Sequence, residues 1–265
     1  MVVQHNVTAM NANRMLNVTT SSQAMSTEKL SSGYRINRAA DDAAGLSISE
    51  KMRAQIRGLN QASTNAEDGI SFVQTVEGAY AEVTEMLQRM NELAVQAANG
   101  TSDSTQDGYI QQEVTALTTE IARIGSATKF NGKAAFGASM SFQIGETADT
   151  ANTLAVSTST MIDTSNISVS DDSAANASIT KIATHLENVS AARSALGAVQ
   201  NRLEHTVKNL DNIAENVTAS ESRIRDTDMS EEMVKYSNEN IIAQAGQAML
   251  AQANQANQGV LSLLQ

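Results

Sequence analysis

Apolar residues recur at helical spacing along the stretch from Gly45 to Ala98. Alternating steps of four and three residues place them on one face and predict a single helix about 80 Å long at ~1.5 Å per residue. A helix of this length needs partner helices beside it. With Ser63 as its only polar member and one extra three-residue step after Val73, the predicted seam is Met52, Ile56, Leu59, Ser63, Ala66, Ile70, Val73, Val76, Tyr80, Val83, Leu87, Met90, Ala94 and Ala97.

Two further segments carry the same spacing. The first follows residues 99–103, which are typical of one helix ending and another beginning. The second runs from about Ser178 to Glu221. Three complementary seams predict a long antiparallel helical bundle, with the apolar positions forming a core rather than a cofactor site. The two added seams are Ile110, Val114, Leu117, Ile121 and Ile124, and Ile179, Ile182, Leu186, Val189, Ala192, Leu196, Val199, Leu203, Val207, Leu210, Ile213 and Val217.

The helical spacing stops between the second and third of these helices. Asn131 and Gly132 both tolerate positive φ, which is typical of the type I′ turn of a β-hairpin. Met140 to Ile144 alternate between apolar and polar residues, as a half-buried strand does. We therefore predict a small β-hairpin region at about residues 130–165.

The two ends of the chain are almost uncharged. Residues 240–265 hold no charged side chain, and residues 2–27 hold only Arg14. Solvated surface helices normally carry a charged face, and isolated helices are marginal in water. We expect these ends to order when they are buried against other copies; the alternative is frayed ends without a role. The predicted polymerisation residues are Val7, Met10, Leu16, Ile241, Ala245, Met249, Leu250, Val260, Leu261 and Leu264.

Composition disfavours several classes of protein. The 265 residues include no proline, cysteine or tryptophan, which favours uninterrupted helices and excludes disulfides and thiol catalysis. A net charge of -11 argues against nucleic-acid binding. No window is apolar enough to insert into a membrane, and the first residues lack the pattern of a cleavable leader. We expect a soluble chain that is cytoplasmic or exported without a cleaved leader.

No residue pattern indicates catalysis, a metal site or a cofactor. The three histidines, His5, His185 and His205, do not form a His-Glu-x-x-His motif. Asp41 and Asp42 are adjacent, and adjacent residues do not face each other as a catalytic acid and base must. A glycine-rich phosphate loop is also missing. The sequence predicts a structural protein that is not an enzyme.

Long runs near both ends resemble the bacterial flagellins. Residues 30–46 read LSSGYRINRAADDAAGL, residues 52–62 read MRAQIRGLNQA, and residues 244–254 read QAGQAMLAQAN. The resemblance covers roughly residues 1–133 and 178–265. It implies a mainly α protein whose paired N- and C-terminal helices form an inner domain beside the long bundle. By this resemblance, the chain is expected to be a short form without the outer variable domains of many flagellins.

The resemblance also implies domain boundaries and two charged connectors. The connector charges are expected either to form cross-connector or intersubunit salt bridges, or to stay solvated, since exposed pairs contribute only ~0–1 kcal/mol. They are Arg35, Arg38, Asp41, Asp42, Arg223, Arg225, Asp226 and Asp228. The expected segments are an inner helix at 1–32, a connector at 33–45, the N-terminal part of the bundle with its hairpin region at 46–177, the C-terminal bundle helix at 178–222, a connector at 223–231 and the second inner helix at 232–265.

The function implied by the resemblance is helical self-assembly into the extracellular flagellar filament for swimming motility, after type III export. Implied partners are the export chaperone, the filament cap and the hook-associated proteins. A hook–filament junction protein, or another secreted coiled-coil protein, is the alternative. Residues 88–96 are similar to the segment through which many flagellins bind the innate receptor TLR5, although Asn91 stands where an arginine is common. The implied receptor contacts are Arg89, Leu93 as an exposed anchor, and Glu113.

Overall fold

The computed structural model describes residues 5–99 and 103–263, with the backbone alone described for 257–263. Contacts divide the described chain into two units. A bundle unit covers Gln55–Glu215, and a terminal unit combines the residues before and after it. The predicted mainly α fold with a small β region is confirmed. Its helices are α1 (Val7–Ser32), α2 (Ala43–Ala97), α3 (Ser104–Ala127), α4 (Asp172–Arg225) and α5 (Met229–Leu263), and its strands are β1 (Lys129–Phe130), β2 (Lys133–Ala134), β3 (Ser139–Gln143) and β4 (Thr153–Ser157).

The buried face of α2 within the bundle unit differs from the predicted seam at two positions. Ala62 and Gly69 are buried, whereas Ser63 and Ile70 are only half-buried. Neighbouring elements approach α2 closely on this side. A Cβ added at Gly69, for example, would lie only 3.2 Å from Leu203 Cδ1. The spacing is consequently regular, without the extra step that the sequence suggested. The buried seam is Leu59, Ala62, Ala66, Gly69, Val73, Val76, Tyr80, Val83, Leu87, Met90, Ala94 and Ala97.

Helix α4 runs antiparallel to α2 within this unit. Ser63 Oγ donates a hydrogen bond to Asp211 Oδ1 at 3.1 Å, and Arg193 Nη2 lies 3.5 Å from Glu77 Oε1. Residue numbers thus rise along one helix as they fall along the other. Buried residues of α4 recur every seven positions and join those of α2 and α3 in one core. They include Ala175, Ile182, Val189, Leu196 and Leu203.

Two hairpins connect α3 to α4. Strands β1 and β2 pair through Phe130 and Lys133, and the two residues between them have positive φ, 48° at Asn131 and 78° at Gly132. This is the conformation that a type I′ turn requires. Strands β3 and β4 pair antiparallel, from Ser139 opposite Ser157 to Gln143 opposite Thr153. The predicted hairpin region is therefore two short hairpins rather than one.

An aromatic cluster packs these hairpins against α2. The ring of Phe72, which is fully buried, meets the ring of Phe130 edge-on, with centroids 5.7 Å apart. It meets Phe142 of β3 at 5.9 Å. Aromatic pairs at these distances add stability beyond their buried area. Phe72 lies beside the main seam of α2, so the seam pattern did not include it.

The terminal unit is built from α1 and α5, which pack together as an antiparallel pair. Asn6 Nδ2 donates to the carbonyl oxygen of Ala253 at 3.0 Å, near one end of the pair. Nearer the other end, Ser22 Oγ donates to Glu239 Oε1. Helix α1 ends at Gly33, whose φ of 76° suits the left-handed cap, and its N–H donates to Lys29 O at 2.8 Å.

The ordered helices extend into both predicted connectors. Helix α4 starts before residue 178 and continues to Arg225, and α5 begins at Met229. The link between them is therefore shorter than the 223–231 segment that the sequence suggested. Asp228 explains the early start of α5, because its Oδ1 accepts hydrogen bonds from the N–H groups of Ser230 and Glu231 at 2.8 and 3.2 Å. Asp42 Oδ1 caps α2 in the same way by accepting from Gly45 N at 2.9 Å.

Candidate assembly surface

The seam between α1 and α5 is lined mainly by small and polar residues. Leu16 of α1 lies against Gly246 of α5, where an added Cβ would be 3.4 Å from Leu16 Cδ1. Apart from Asn240, the less exposed positions along α5 alternate by four and three, as in a coiled coil. They are Glu232, Tyr236, Glu239, Ala243, Gly246, Leu250 and Ala253.

Two carboxylates and one hydroxyl are buried among the described side chains of α1 and α5. Glu232 and Glu239 are more than nine-tenths buried, and Ser26 is fully buried. Glu239 Oε1 accepts the hydrogen bond from Ser22, and Glu232 Oε1 lies 3.6 Å from Lys235 Nζ. Burying polar groups contributes little net stability even when they are paired. The Ser22–Glu239 hydrogen bond joins the two helices, whereas Glu232 pairs within α5, so these buried groups add little stability to the helix pair.

Large apolar side chains of α1 and α5 are instead exposed to solvent, and we call the surfaces that carry them the outer faces. On α1 they follow helical spacing from Val7 to Met25, a stretch whose only charged residue is Arg14, and on α5 no charged residue follows Glu239. A concentration of exposed large apolar residues of this kind indicates a protein interaction site. The exposed apolar residues of the outer faces are Val7, Met10, Met15, Val18, Met25, Met229, Met233, Val234, Ile241, Ile242 and Met249.

The structure separates the predicted polymerisation residues into two groups. Val7, Met10, Ile241, Ala245 and Met249 are exposed on the outer faces. By contrast, Leu16 and Leu250 are half-buried in the seam of their own chain. The remaining three lie outside the described side chains, and they are Val260, Leu261 and Leu264.

Backbone contacts, rather than ion pairs, join the two connectors. The backbone N–H of Arg35 donates to Arg225 O at 2.7 Å, and its Nη2 donates to Ile224 O at 2.6 Å. Thr227 N donates to Gly33 O at 3.0 Å. These bonds fix the start of the first connector beside the end of α4, with no need for opposite charges.

The arginines near the connectors form ion pairs with helix residues instead. Arg38 makes a bidentate pair with Glu28 of α1, at 2.9 and 3.0 Å. Arg225 is 13% exposed, lies 3.3 Å from Glu50 of α2 and places its guanidinium 4.6 Å from the centre of the Tyr34 ring. The Arg225 side chain is shielded, but Glu50 is 53% exposed, so the ion pair itself contributes only modestly to stability. Two further bonds are local, from Arg223 to Ser220 Oγ and from Ser222 Oγ to Asp226.

The adjacent carboxylates of the first connector both accept backbone hydrogen bonds. Asp41 Oδ2 accepts from Arg38 N at 2.9 Å and from Asn37 N at 3.0 Å. The bond from Arg38, followed by that from Asn37, lowers the pKa of Asp41. Asp42 caps α2. Both side chains therefore have structural partners that account for their presence.

The predicted receptor contacts need one correction. Arg89 Nε donates to Glu113 Oε1 at 2.9 Å, which joins α2 to α3, and this bond raises the pKa of the guanidinium. Arg89 also pairs with Glu92 at 3.1 Å. Leu93, in contrast, is only 2% exposed and belongs to the core. The prediction of Leu93 as an exposed anchor was wrong, because this position lies on a second buried face of α2.

Neither a metal site nor a membrane span is found among the described residues. Over this part of the chain, no three His, Asp or Glu side chains gather closely enough to hold a metal ion. The helices, as far as they are described, include none that is long and apolar enough to cross a bilayer.

Comparison with known proteins identifies the relatives of this chain. Residues 3–141 match the family described as the bacterial flagellin N-terminal helical region, and residues 179–264 match its C-terminal helical region. The chain is 49% identical over 274 residues to the flagellin of Halalkalibacterium halodurans, with all of both chains covered. It is 47% identical over 285 residues to the flagellar filament 33 kDa core protein of Treponema phagedenis, again over the whole of both. A crystal structure of Bacillus cereus flagellin is 28% identical, with a TM-score of 0.49, and the match covers 56% of this chain and 88% of that one.

Proposed function

The chain belongs to the bacterial flagellin family, and on this premise we propose that it polymerises through the outer faces of α1 and α5. It is a structural subunit that self-assembles into the flagellar filament. The observation that supports the proposed surface is the arrangement of the terminal unit, whose large apolar side chains lie outside the seam while small and polar residues lie within it. Covering such a surface with another subunit lowers the free energy, because apolar area is removed from water.

Helical growth requires two different surfaces on each subunit, because identical patches would close into a dimer. Helices α1 and α5 offer two such surfaces with different residues. Complete burial of a Val, Ile or Met side chain is worth about 1.5–3 kcal/mol. Several such residues are exposed on each helix, so their combined burial is large enough to drive assembly once the entropy of association is subtracted.

The same arrangement supports ordering of the terminal helices on assembly. Their seam stabilises the pair weakly, and the remaining apolar surface becomes buried only in the polymer. We therefore expect circular dichroism to report less helix per chain in the monomer than in the filament. Equal helicity in the two states would contradict coupled ordering.

The outer faces also account for the further partners that we propose. An exposed apolar surface must be kept from premature assembly, which is a role for an export chaperone in the cell. The cap and the hook-associated proteins would contact the same kind of surface at the ends of the filament, outside the cell. For the receptor TLR5, the proposed contacts are reduced to Arg89 and Glu113, whose side chains are about half-exposed.

A hook–filament junction protein, or an unrelated secreted coiled-coil protein, is not favoured as an alternative. Both terminal regions match flagellin, and the curated relatives that match over the full length carry flagellin or filament names. Flagellins are a structural family, which agrees with a role other than catalysis.

A seeded elongation experiment tests the proposed surface. Purified full-length chain is added to short filament fragments, and growth is measured by sedimentation and electron microscopy. Ile241→Glu places a charge on the outer face of α5, where the isoleucine is 64% exposed, so we expect the monomer to keep its fold and to lose elongation.

Gln247→Glu is the charge-matched control, because it adds the same charge to an exposed position of the same helix where no apolar side chain is lost. It should elongate far better than Ile241→Glu. Normal elongation of Ile241→Glu would remove the outer face of α5 from the assembly surface. Failure of the unmodified chain to add to fragments would refute the proposal as a whole.

A further inference from the structure

Methionine is distributed unevenly between the two units. The chain holds 12 methionines. Six of those described are large exposed residues, between 46% and 65% accessible, and all six lie on α1 or α5. The other described methionines are half-buried or buried, and they are Met52, Met86, Met90, Met140 and Met161. The exposed six are Met10, Met15, Met25, Met229, Met233 and Met249.

We propose that these six thioethers are oxidation sites through which hydrogen peroxide blocks assembly of the free subunit. This inference rests on the proposed function, since it assumes that assembly buries the outer faces. Each sulfur attacks one oxygen of the peroxide, so that a sulfur–oxygen bond forms and the oxygen–oxygen bond breaks. The second oxygen takes up the proton of the transferred oxygen and leaves as water. One thioether and one peroxide thus give one sulfoxide and one water.

Accessibility selects the sites of oxidation. Oxidation of methionine follows exposure of the sulfur, and the chain has no cysteine that would consume the oxidant first. The outer faces therefore carry the most reactive sulfur atoms of the described chain. Met90, which is fully buried in the core of the bundle unit, should react last.

Oxidation opposes assembly because it turns an apolar contact into a polar one. A sulfoxide oxygen needs hydrogen-bond donors once it is buried. Residues 240–265 hold no charged donor, and residues 2–27 hold only Arg14. Sulfoxides in these two ranges would depend mainly on amide and hydroxyl donors that must be rearranged to reach them, so we expect the concentration needed for elongation to rise at least tenfold.

The same geometry predicts that the assembled filament resists the modification. Thioethers on the outer faces are open to solvent in the free subunit but covered by neighbours in the polymer. Peroxide should therefore inactivate free subunits at a dose that leaves most of the six methionines of filaments intact. Because methionine sulfoxide reductases reverse the reaction, treated subunits should regain elongation.

The test uses the full-length monomer treated with hydrogen peroxide, peptide mass spectrometry to locate sulfoxides, and seeded elongation. We expect sulfoxide at the six exposed positions before Met90, a loss of elongation of at least tenfold, and recovery with the two methionine sulfoxide reductases. Undiminished elongation of subunits that carry all six sulfoxides would overturn the inference. So would a loss that the reductases fail to reverse.

Substitution with leucine supplies the matched variants, since exchange of Met for Leu conserves volume. A variant with leucine at all six exposed positions should keep its elongation after peroxide. A control with leucine at Met86, Met140 and Met161 should lose elongation as the unmodified chain does. Equal sensitivity of the two variants to peroxide would overturn the inference. If the six-leucine variant does not assemble even without peroxide, the reductase experiment on the unmodified chain tests the inference instead. An untreated, unmodified chain that never adds to fragments would instead refute the proposed function.

Discussion

Two glycines of α2 differ in what an added methyl group would touch. At Gly78, nothing lies within 4 Å of the position that a Cβ would occupy. At Gly69, the added Cβ would lie 3.2 Å from Leu203 Cδ1 and 3.4 Å from Phe142 Cγ. Substitution by alanine changes both sites equally in helix propensity, so the difference between the two variants measures packing alone.

The expected free energies follow from these distances. Alanine is more favourable than glycine inside a helix by ~0.8–1.0 kcal/mol, which Gly78→Ala should gain in full. Leu203 is fully buried, so the methyl of Gly69→Ala can be accepted only by moving a packed side chain. Overpacking of a core costs about 1–3 kcal/mol. We expect Gly69→Ala to gain nothing, and to unfold with a free energy at least ~1 kcal/mol below that of Gly78→Ala.

Thermal unfolding of the monomer, followed by far-ultraviolet circular dichroism, measures this difference. In a domain of this size, 1 kcal/mol shifts Tm by roughly 2–4 °C. The Tm should rise by about that amount in Gly78→Ala and should not rise in Gly69→Ala. Equal stabilisation of the two variants would refute the close packing of α4 and β3 on α2 at Gly69.

Three further predictions concern the ends, the connector and the receptor contacts. Deletion of residues 240–265 should leave unfolding of the bundle unit unchanged and abolish seeded elongation; normal filaments from this chain would contradict the assembly surface. Hydrogen bonds to its carboxylate lower the pKa of Asp41 when folded, so their stabilisation is present above the usual aspartate pKa of about 3.9 and is lost as pH falls through the lower folded value. An NMR pH titration should show that the first connector loses this stabilisation at low pH, and Asp41→Asn should remove the pH dependence. Arg89→Ala monomer should lose TLR5 activation while Arg123→Ala, which breaks an exposed pair on α3, retains it; equal activity would remove the receptor contact.

The spacing of apolar residues predicted the bundle helices because long helices packed side by side need regular seams. It failed at Ala62 and Gly69, where closeness of the neighbouring elements matters more than side-chain size. Ser63 and Ile70 were selected because they lie four residues after Leu59 and Ala66. A search that favours large apolar side chains passes over Ala62 and Gly69, which lie one residue earlier. Small residues at regular steps are the signal of close approach, and they were visible in the sequence.

The error at Leu93 has a related cause. A helix packed among several elements needs two buried faces, whereas the prediction assigned one to α2. Phe72, Ala79, Met86 and Leu93 recur every seven residues beside the main seam, and all four are buried or pack against the core. This second repeat was present in the sequence. Once it is recognised, Leu93 belongs to the core and Arg89 remains at the surface.

The terminal helices show where sequence patterns stop being sufficient. Both α1 and α5 carry two stripes with helical spacing, and spacing alone does not distinguish the stripe that faces the other helix from the one that faces other subunits. The structure assigns Leu16 and Leu250 to the seam, and Met10 and Ile241 to the outer faces. The resulting helix pair exposes large apolar side chains and encloses buried glutamates, the reverse of a finished globular fold. The apolar surface of such a pair is open to a partner molecule, and we propose that in a filament of identical subunits each chain supplies the surface that the next one needs.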